Sequence, residues 1–143
     1  MGIVGRLSRT SRLVEQEIRG YFAEENMEPW EFDVLATLRR SGPPYTLMPK
    51  DLVARTMVGS AAMTNRVDRL VTKSLVTRET DPANRRSILI TLTAEGHDVV
   101  ERVVDGHVAN AARLVSDLEP DERNELNRLL RKLLISLGDT GGV

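Results

Sequence analysis

Leu75–Gly96, which reads LVTRETDPANRRSILITLTAEG, decides how the rest of the chain is understood. Two strand-like segments flank a polar turn that carries adjacent arginines, Arg85 and Arg86. The second arm, Ser87–Thr93, alternates Ile88, Ile90 and Leu92 with Ser87, Leu89 and Thr91, the period-2 pattern of a half-buried strand. Two short helices are expected immediately upstream. Pro49 opens the first, which carries Leu52 and Val53. Met57-Val58-Gly59 supplies a turn, Ser60 is placed as N-cap of the second helix, and that helix runs to about Lys73. Short helices joined by a tight Gly-containing turn form a helix-turn-helix. A basic hairpin attached to one is a wing. The pair implies double-stranded DNA as partner, with the helix in the major groove and arginines in a narrow minor groove.

Drawn as a wheel, Ser60–Lys73 gathers Met63, Val67, Leu70 and Val71 on one side. Ala61, Asn65, Asp68, Arg69 and Thr72 lie roughly opposite, with Thr64 and Arg66 on the borders. Outward residues near the N-terminus of a recognition helix meet base edges, and later ones meet phosphates. The DNA-contacting set expected here is Ser60, Ala61, Thr64, Asn65, Asp68 and Arg69, with Arg85 and Arg86 from the wing. Asn65 can pair bidentately with adenine, and Ala61 or Thr64 can pack on a thymine methyl. Arg69 suits a phosphate, which positions rather than specifies. A solvated helix face and a charged solubilising turn are the alternatives for each element taken alone.

Outward from this centre the chain reads as helix. Ile3, Leu7, Val14, Ile18 and Phe22 predict an amphipathic helix over 3–24. Glu28-Pro29 starts another, carrying Trp30, Val34, Leu35 and Leu38, and Ser41-Gly42-Pro43-Pro44 stops it. Tyr45–Leu47 is long enough for one ladder of a small sheet. Thr93 caps a long helix expected to reach about Leu118, with Val99, Val103, Val108, Ala112 and Val115 as its apolar face. Glu119-Pro120 breaks it. A last helix carries Leu126, Leu129, Leu130, Leu133, Leu134 and Leu137, and Asp139–Val143 reads as a frayed tail. The expected fold is mainly α with a small β-hairpin wing (α+β), a winged helix-turn-helix with helical N- and C-terminal segments.

Charge follows the same map. Residues 50–93 hold eight Arg/Lys against four acids, while 1–49 and 94–143 carry net charges of −1 and −4. A basic middle between acidic ends, within a chain of net charge −1, points one part of the molecule at a polyanion. No apolar run approaches the roughly 20 residues a membrane span needs, and the N-terminus lacks the apolar stretch of a secretory signal. No membrane partner and a cytoplasmic location are therefore expected. The 143 residues include no cysteine, so disulfides and thiolate metal sites are excluded. His97 and His107 lie on different faces of one helix, and no metal site is expected. No nucleophile elbow, phosphate loop or paired-carboxylate motif occurs, so neither an enzyme nor a cofactor is expected.

The apolar residues of the first, fifth and sixth helices exceed what a small winged-helix core can cover. A homodimer built from those helices would bury the excess and supply the two-fold symmetry that a palindrome requires.

Several short motifs then carry a resemblance. They are Asp51-Leu52-Val53, Thr64-Asn65-Arg66-Val67-Asp68-Arg69-Leu70, Leu75-Val76-Thr77-Arg78, Asp81-Pro82, Arg85-Arg86 and Leu92-Thr93-Ala94-Glu95-Gly96. Together they resemble the DNA-binding core of the MarR family of bacterial transcriptional regulators. The resemblance implies one domain over 1–143, with a DNA-binding lobe at about 45–93 and dimerisation helices at 1–28 and 94–138. It also implies a ligand-responsive homodimeric repressor on a pseudo-palindromic operator. The family's wing has Asp two residues before the inserting arginine, where this chain has Asn84. An architectural DNA-coating protein without effector is the alternative function, and a protein-interaction module a third.

A narrower similarity is to the urate-responsive subgroup, carried by Trp30-Glu31-Phe32-Asp33-Val34-Leu35, Leu38–Pro44 and Thr64-Asn65-Arg66. It implies a small anionic aromatic effector of the urate type, with Asp33, Arg66 and Arg78 as ligand-binding residues. The subgroup's pocket tryptophan on the first helix has no counterpart, since the single tryptophan here is Trp30.

Overall fold

The structure, a computed structural model, describes residues 2–56 and 58–139. Met57, expected in the interhelical turn, and residues 140–143 of the tail lie outside them. Six helices and three strands follow in the order α1 (Ile3–Glu24), α2 (Pro29–Arg40), β1 (Thr46–Leu47), α3 (Pro49–Arg55), α4 (Ser60–Thr72), β2 (Val76–Asp81), β3 (Asn84–Leu92), α5 (Ala94–Leu114) and α6 (Pro120–Ser136). The strands form one antiparallel sheet in the order β1-β3-β2. This is the mainly helical winged-helix architecture that the hairpin and the helix-turn-helix spacing predict. The chain divides into two compact units, Met1–Val108 and Ala109–Val143.

In the first unit the core gathers on α2, which buries Val34, Leu35 and Leu38 completely. Phe22 of α1, Leu52 of α3, Met63, Val67 and Leu70 of α4, Ile90 and Leu92 of β3, and Val100 and Val103 of α5 join it. The i, i+4, i+7 spacing of Met63, Val67 and Leu70 makes α4 present one narrow apolar stripe inward. Val71, expected on that face, is 39% exposed. The stripe packs against α3 and β2, and position 71 falls beyond its edge.

Ser60 is not the N-cap of α4. Gly59 is the extended cap residue, and its carbonyl accepts the first helical hydrogen bonds from Ala62 and Met63. Ser60 is thus the first helical residue. The turn is held instead by Thr56. Its Oγ1 donates to the Leu52 carbonyl at 2.7 Å and accepts from the Val58 amide at 3.3 Å. By contrast Thr93 does cap α5, its Oγ1 accepting from the Gly96 amide at 2.9 Å and donating to the Ser74 carbonyl at 2.8 Å. The same residue ties the end of the wing to the turn after α4, because its amide also donates to the Leu75 carbonyl. Gly96 is required at this junction. A Cβ there would stand 2.1 Å from the Leu75 carbonyl oxygen.

In the second unit α5 ends at Leu114 rather than Leu118, and residues 115–118 turn toward α6. Pro120 opens α6 behind a capping box in which Glu119 and Glu122 exchange side-chain-to-backbone bonds. No residue of α6 is buried within the chain, and Leu129, Leu133, Leu134 and Leu137 are exposed. In the first unit Ile3, Val4 and Leu13 of α1 and Val108 of α5 are exposed as well.

Candidate nucleic-acid interface

The solvent face of α4 carries Ser60, Ala61, Thr64, Asn65, Asp68, Arg69 and Thr72, all exposed. The helix wheel therefore separates inside from outside correctly at these positions. What the side chains do on that face is less uniform. Asp68 accepts a hydrogen bond from Arg78 of β2 at 2.8 Å. The pair neutralises a carboxylate on the exposed face of α4, and it pins β2 to that helix. Arg66 lies half-buried with its guanidinium 4.7 Å from the centre of the Trp30 ring, and Arg69 stands over the same ring at 5.4 Å. Ser60, Ala61, Thr64 and Asn65 are left as the groups that face outward from the first two turns.

Arg66, Arg69 and Lys73 form one stripe along α4, at spacings of three and four, and all three meet the first turn of α2. Lys73 Nζ donates to Glu31 Oε2 at 2.7 Å, and Glu31 is only 3% exposed. The other Glu31 oxygen accepts from the Glu28 amide at 3.2 Å, within a capping box that starts α2 at Pro29. Trp30 Nε1 in turn donates to the Glu28 carboxylate. A buried acid satisfied on both oxygens, and an aromatic ring fixed at its polar end, thus hold α4 against the start of α2. Sequence reasoning missed this clasp. The signals were Glu28-x-x-Glu31 ahead of an apolar run and a basic i, i+3, i+7 stripe.

The wing carries its arginines differently from the expectation. Pro82 and Ala83 form the turn itself, with the Asp81 carboxylate accepting from the Ala83 amide at 2.9 Å. Arg85 and Arg86 are the second and third residues of β3, beside the tip rather than on it. The register slips there. Thr80 pairs with Ile88 while Asp81 pairs with Asn84, so Arg85, Arg86 and Ser87 fall in the irregular stretch between the two pairs. Both arginines are exposed, and among the described residues neither makes an ion pair. Asn84 shapes the backbone instead of holding a guanidinium. Its Oδ1 accepts from the Arg86 amide at 3.2 Å and its Nδ2 donates to Ser87 Oγ at 3.1 Å.

Two open cavities meet at Trp30 and Arg66. One, of about 480 Å³, is lined by Pro29, Trp30, Asp33, Gly59, Ala62 and Arg66. The other, of about 510 Å³, adds Arg19, Ala23, Met27 and Glu28 to Pro29, Trp30 and Arg66. Of the three expected ligand residues, Asp33 and Arg66 therefore share a cavity, and Arg78 does not line it. Arg78 is directed to Asp68 because β2 runs beside α4 rather than beside α2. A second strap crosses from α2 to α5. Arg39 donates to Glu101, which lies 3.7 Å from His97 Nε2. The Arg39 hydrogen bond holds the Glu101 carboxyl below the usual carboxylate range. Among the described residues no three His, Asp or Glu side chains cluster to hold a metal, and no helix is long and apolar enough to cross a membrane.

Residues 25–87 match the sequence model of the MarR family. The transcriptional regulator PecS of Dickeya dadantii is 36% identical over 133 residues, covering 93% of this chain and 80% of PecS. The structure of a MarR mutant from E. coli complexed with operator DNA superposes with a TM-score of 0.79 at 27% identity, covering 92% of this chain and 93% of that one. A structure of Bordetella bronchiseptica BpsR, whose DNA binding is regulated by 6-hydroxynicotinic acid, gives a TM-score of 0.79 at 27% identity over 92% of both chains.

Proposed function

The chain belongs to the MarR family of DNA-binding transcriptional regulators, and from that premise we propose that it is a cytoplasmic, homodimeric repressor of a pseudo-palindromic operator, released by a small planar anion. One observation carries the DNA side of this reading. The exposed polar face of α4 and the exposed Arg85–Arg86 pair of β3 belong to one block, joined by the Asp68–Arg78 ion pair and the Thr93 junction. In this reading the lobe at about 45–93 docks as a unit, with Ser60, Ala61, Thr64 and Asn65 at base edges and the wing arginines in the minor groove. The uncovered apolar residues of α1 and those of α6 support the dimer. A second copy is the partner that would give residues 1–28 and 94–138 their role.

The cavity that holds Asp33 and Arg66 supports the effector. Its volume falls within the range of small-molecule sites. Its Trp30 ring and Arg66 guanidinium suit a flat anion, by stacking on one and pairing with the other. BpsR responds to an aromatic anion of this kind, and urate or an aromatic carboxylate is the corresponding class here. An anion paired with Arg66 would pull on α4 directly, since that residue sits on the recognition helix. To act as a switch the ligand must favour the DNA-free arrangement by a few kcal/mol.

The test is selection of duplexes from a random pool, followed by anisotropy titrations with and without urate and aromatic acids. An inverted repeat with half-sites about one helical turn apart is expected. Asn65→Ala should cost about 1–3 kcal/mol of discrimination at one major-groove position. Arg86→Ala should weaken binding chiefly where the minor groove under the wing is A·T-rich. Equal binding to selected and random duplex would instead favour an architectural coat. Release by no planar anion, or release unchanged in Asp33→Asn, would remove the effector site.

A further inference from the structure

Trp30 stands on α2, outside the recognition helix, yet two of that helix's cations lie over its ring. We propose that Trp30 is a positioning residue for DNA binding, pre-setting the guanidiniums of Arg66 and Arg69 so that they meet phosphate already ordered. This inference rests on the DNA-facing reading of α4 given above and adds Arg66 to the groups that meet phosphate, so an anion in the Asp33–Arg66 cavity would compete with DNA for that guanidinium.

The geometry supports it from three sides. The ring cannot swing freely, because Nε1 donates to Glu28, and Glu28 is itself tied into the start of α2 by the capping box with Glu31. The helix behind the two arginines cannot roll, because Lys73, one turn further along the same stripe, is bound to buried Glu31. Both guanidiniums lie over the ring, at 4.7 and 5.4 Å from its centre, and a cation held by a ring rather than by a carboxylate keeps the N–H donors at its edge free. Those edge donors are the ones that recognise phosphate oxygens. The ring therefore restricts the long side chains without using up the groups that DNA needs.

Ordering a flexible side chain on binding has a cost, and a residue that orders it beforehand removes that cost. The saving is roughly a factor of three per arginine, and about tenfold for the pair. The number of phosphates contacted does not change. Loss of the ring should therefore lower affinity by the same factor at every salt concentration. Loss of an arginine should also flatten the salt dependence, by about 0.9 in the log–log slope for each phosphate contact removed.

The full-length chain is titrated against its selected duplex at several salt concentrations, as parent, Trp30→Leu and Trp30→Phe. Each is also made in a background carrying Arg66→Ala and Arg69→Ala. The expected result is about tenfold weaker binding for Trp30→Leu with an unchanged salt slope. A smaller loss is expected for Trp30→Phe, which keeps a ring face, and no further loss from either change in the arginine-free background. A residue that merely stabilised the fold would weaken binding equally in both backgrounds. A DNA-free arm reads the clasp itself, because Trp30 is the single tryptophan of the chain. Two cations over the ring attract iodide, so quenching by iodide relative to neutral acrylamide should fall in Arg66→Ala/Arg69→Ala. An unchanged quenching ratio, or Trp30→Leu binding like the parent, overturns the proposal. If the quenching ratio falls but Arg69→Ala binds DNA like the parent, the DNA-facing reading of α4 has failed, and this inference with it.

Discussion

Gly96→Ala should be among the most damaging single-methyl changes in this chain. The new Cβ would lie 2.1 Å from the Leu75 carbonyl oxygen, 2.9 Å from Leu92 Cδ1 and 3.0 Å from the Leu75 carbonyl carbon. Two of the three obstacles belong to backbone. Relief requires the strand start at Leu75 and the helix start at Gly96 to part by about 1 Å or more, toward ordinary non-bonded separations. That movement stretches the Thr93 amide bond to the Leu75 carbonyl, 3.1 Å in the native arrangement. Overpacking of this kind costs about 1–3 kcal/mol, and a lost backbone hydrogen bond about 1 kcal/mol. Replacing a helical glycine by alanine returns at most about 1 kcal/mol, so with the full return subtracted the net expected loss is about 1–3 kcal/mol. Gly106→Ala is the control. Its Cβ would also come within 2.1 Å of an atom, but that atom is the Tyr21 hydroxyl, at the free end of a side chain. Tyr21 can swing aside for the loss of one hydrogen bond, donated to the Val103 carbonyl at 2.8 Å, and the gain from alanine in the helix interior offsets most of that, so a net change below about 1 kcal/mol is expected. Urea unfolding at one fixed protein concentration measures both. A Gly96→Ala protein as stable as the parent, or less affected than Gly106→Ala, would refute the close-approach reasoning.

Three further outcomes are expected. Lys73→Ala leaves the Glu31 carboxylate with one hydrogen bond in a nearly dry site; because Lys73 itself is 42% exposed, water can partly replace it, and a loss of about 1–3 kcal/mol should appear in urea unfolding. The Glu101 carboxyl is held below its usual range by Arg39, so its contribution is present at neutral pH and disappears as pH falls through that lowered value. Glu101→Gln should lower Tm at pH 7 and make the decline of Tm between about pH 5 and pH 3 shallower than in the parent. Leu130→Ala with Leu134→Ala should leave the protomer folded, since Leu134 is already 42% exposed, Leu130 is half-buried and no residue of α6 is fully buried within the chain. Dimer dissociation should rise instead, by about 2–5 kcal/mol for each leucine that the partner buries; unchanged sedimentation at micromolar concentration would remove the leucine face from the interface.

Periodicity made most of the fold legible. Ile90 and Leu92 alternate with partly exposed neighbours and are buried, and Met63, Val67 and Leu70 mark the inner stripe of α4. Prolines at 29, 49 and 120 mark three helix starts where the structure has them. Local pattern failed wherever the answer lay in packing between distant segments. Glu31 is a charged residue inside the core boundary, tolerated only because Lys73, 42 positions away, arrives beside it. Asp68 and Arg69 look alike on a wheel, as two outward polar groups. In the folded chain one faces Arg78 and the other faces Trp30, according to which element runs alongside. The arginine pair was visible as a basic turn. Its displacement from the tip was not, because a register slip has no compositional mark beyond the turn residues themselves.

That slip also separates two design problems within a single nine-residue strand. Ile90 is held in register on both sides, by Leu47 of β1 and Arg78 of β2, and Leu92 by Val76 of β2 and by its amide bond to the Tyr45 carbonyl. Beyond Thr80 the ladder no longer dictates which residue faces which. The three positions that absorb the mismatch include both wing cations. Lengthening or shortening the hairpin there would move a charge by about a residue's length without turning an apolar side chain out of the core. The reach of the wing is thus an adjustable dimension. The tip can change in length while the hydrophobic half of the strand stays as it is.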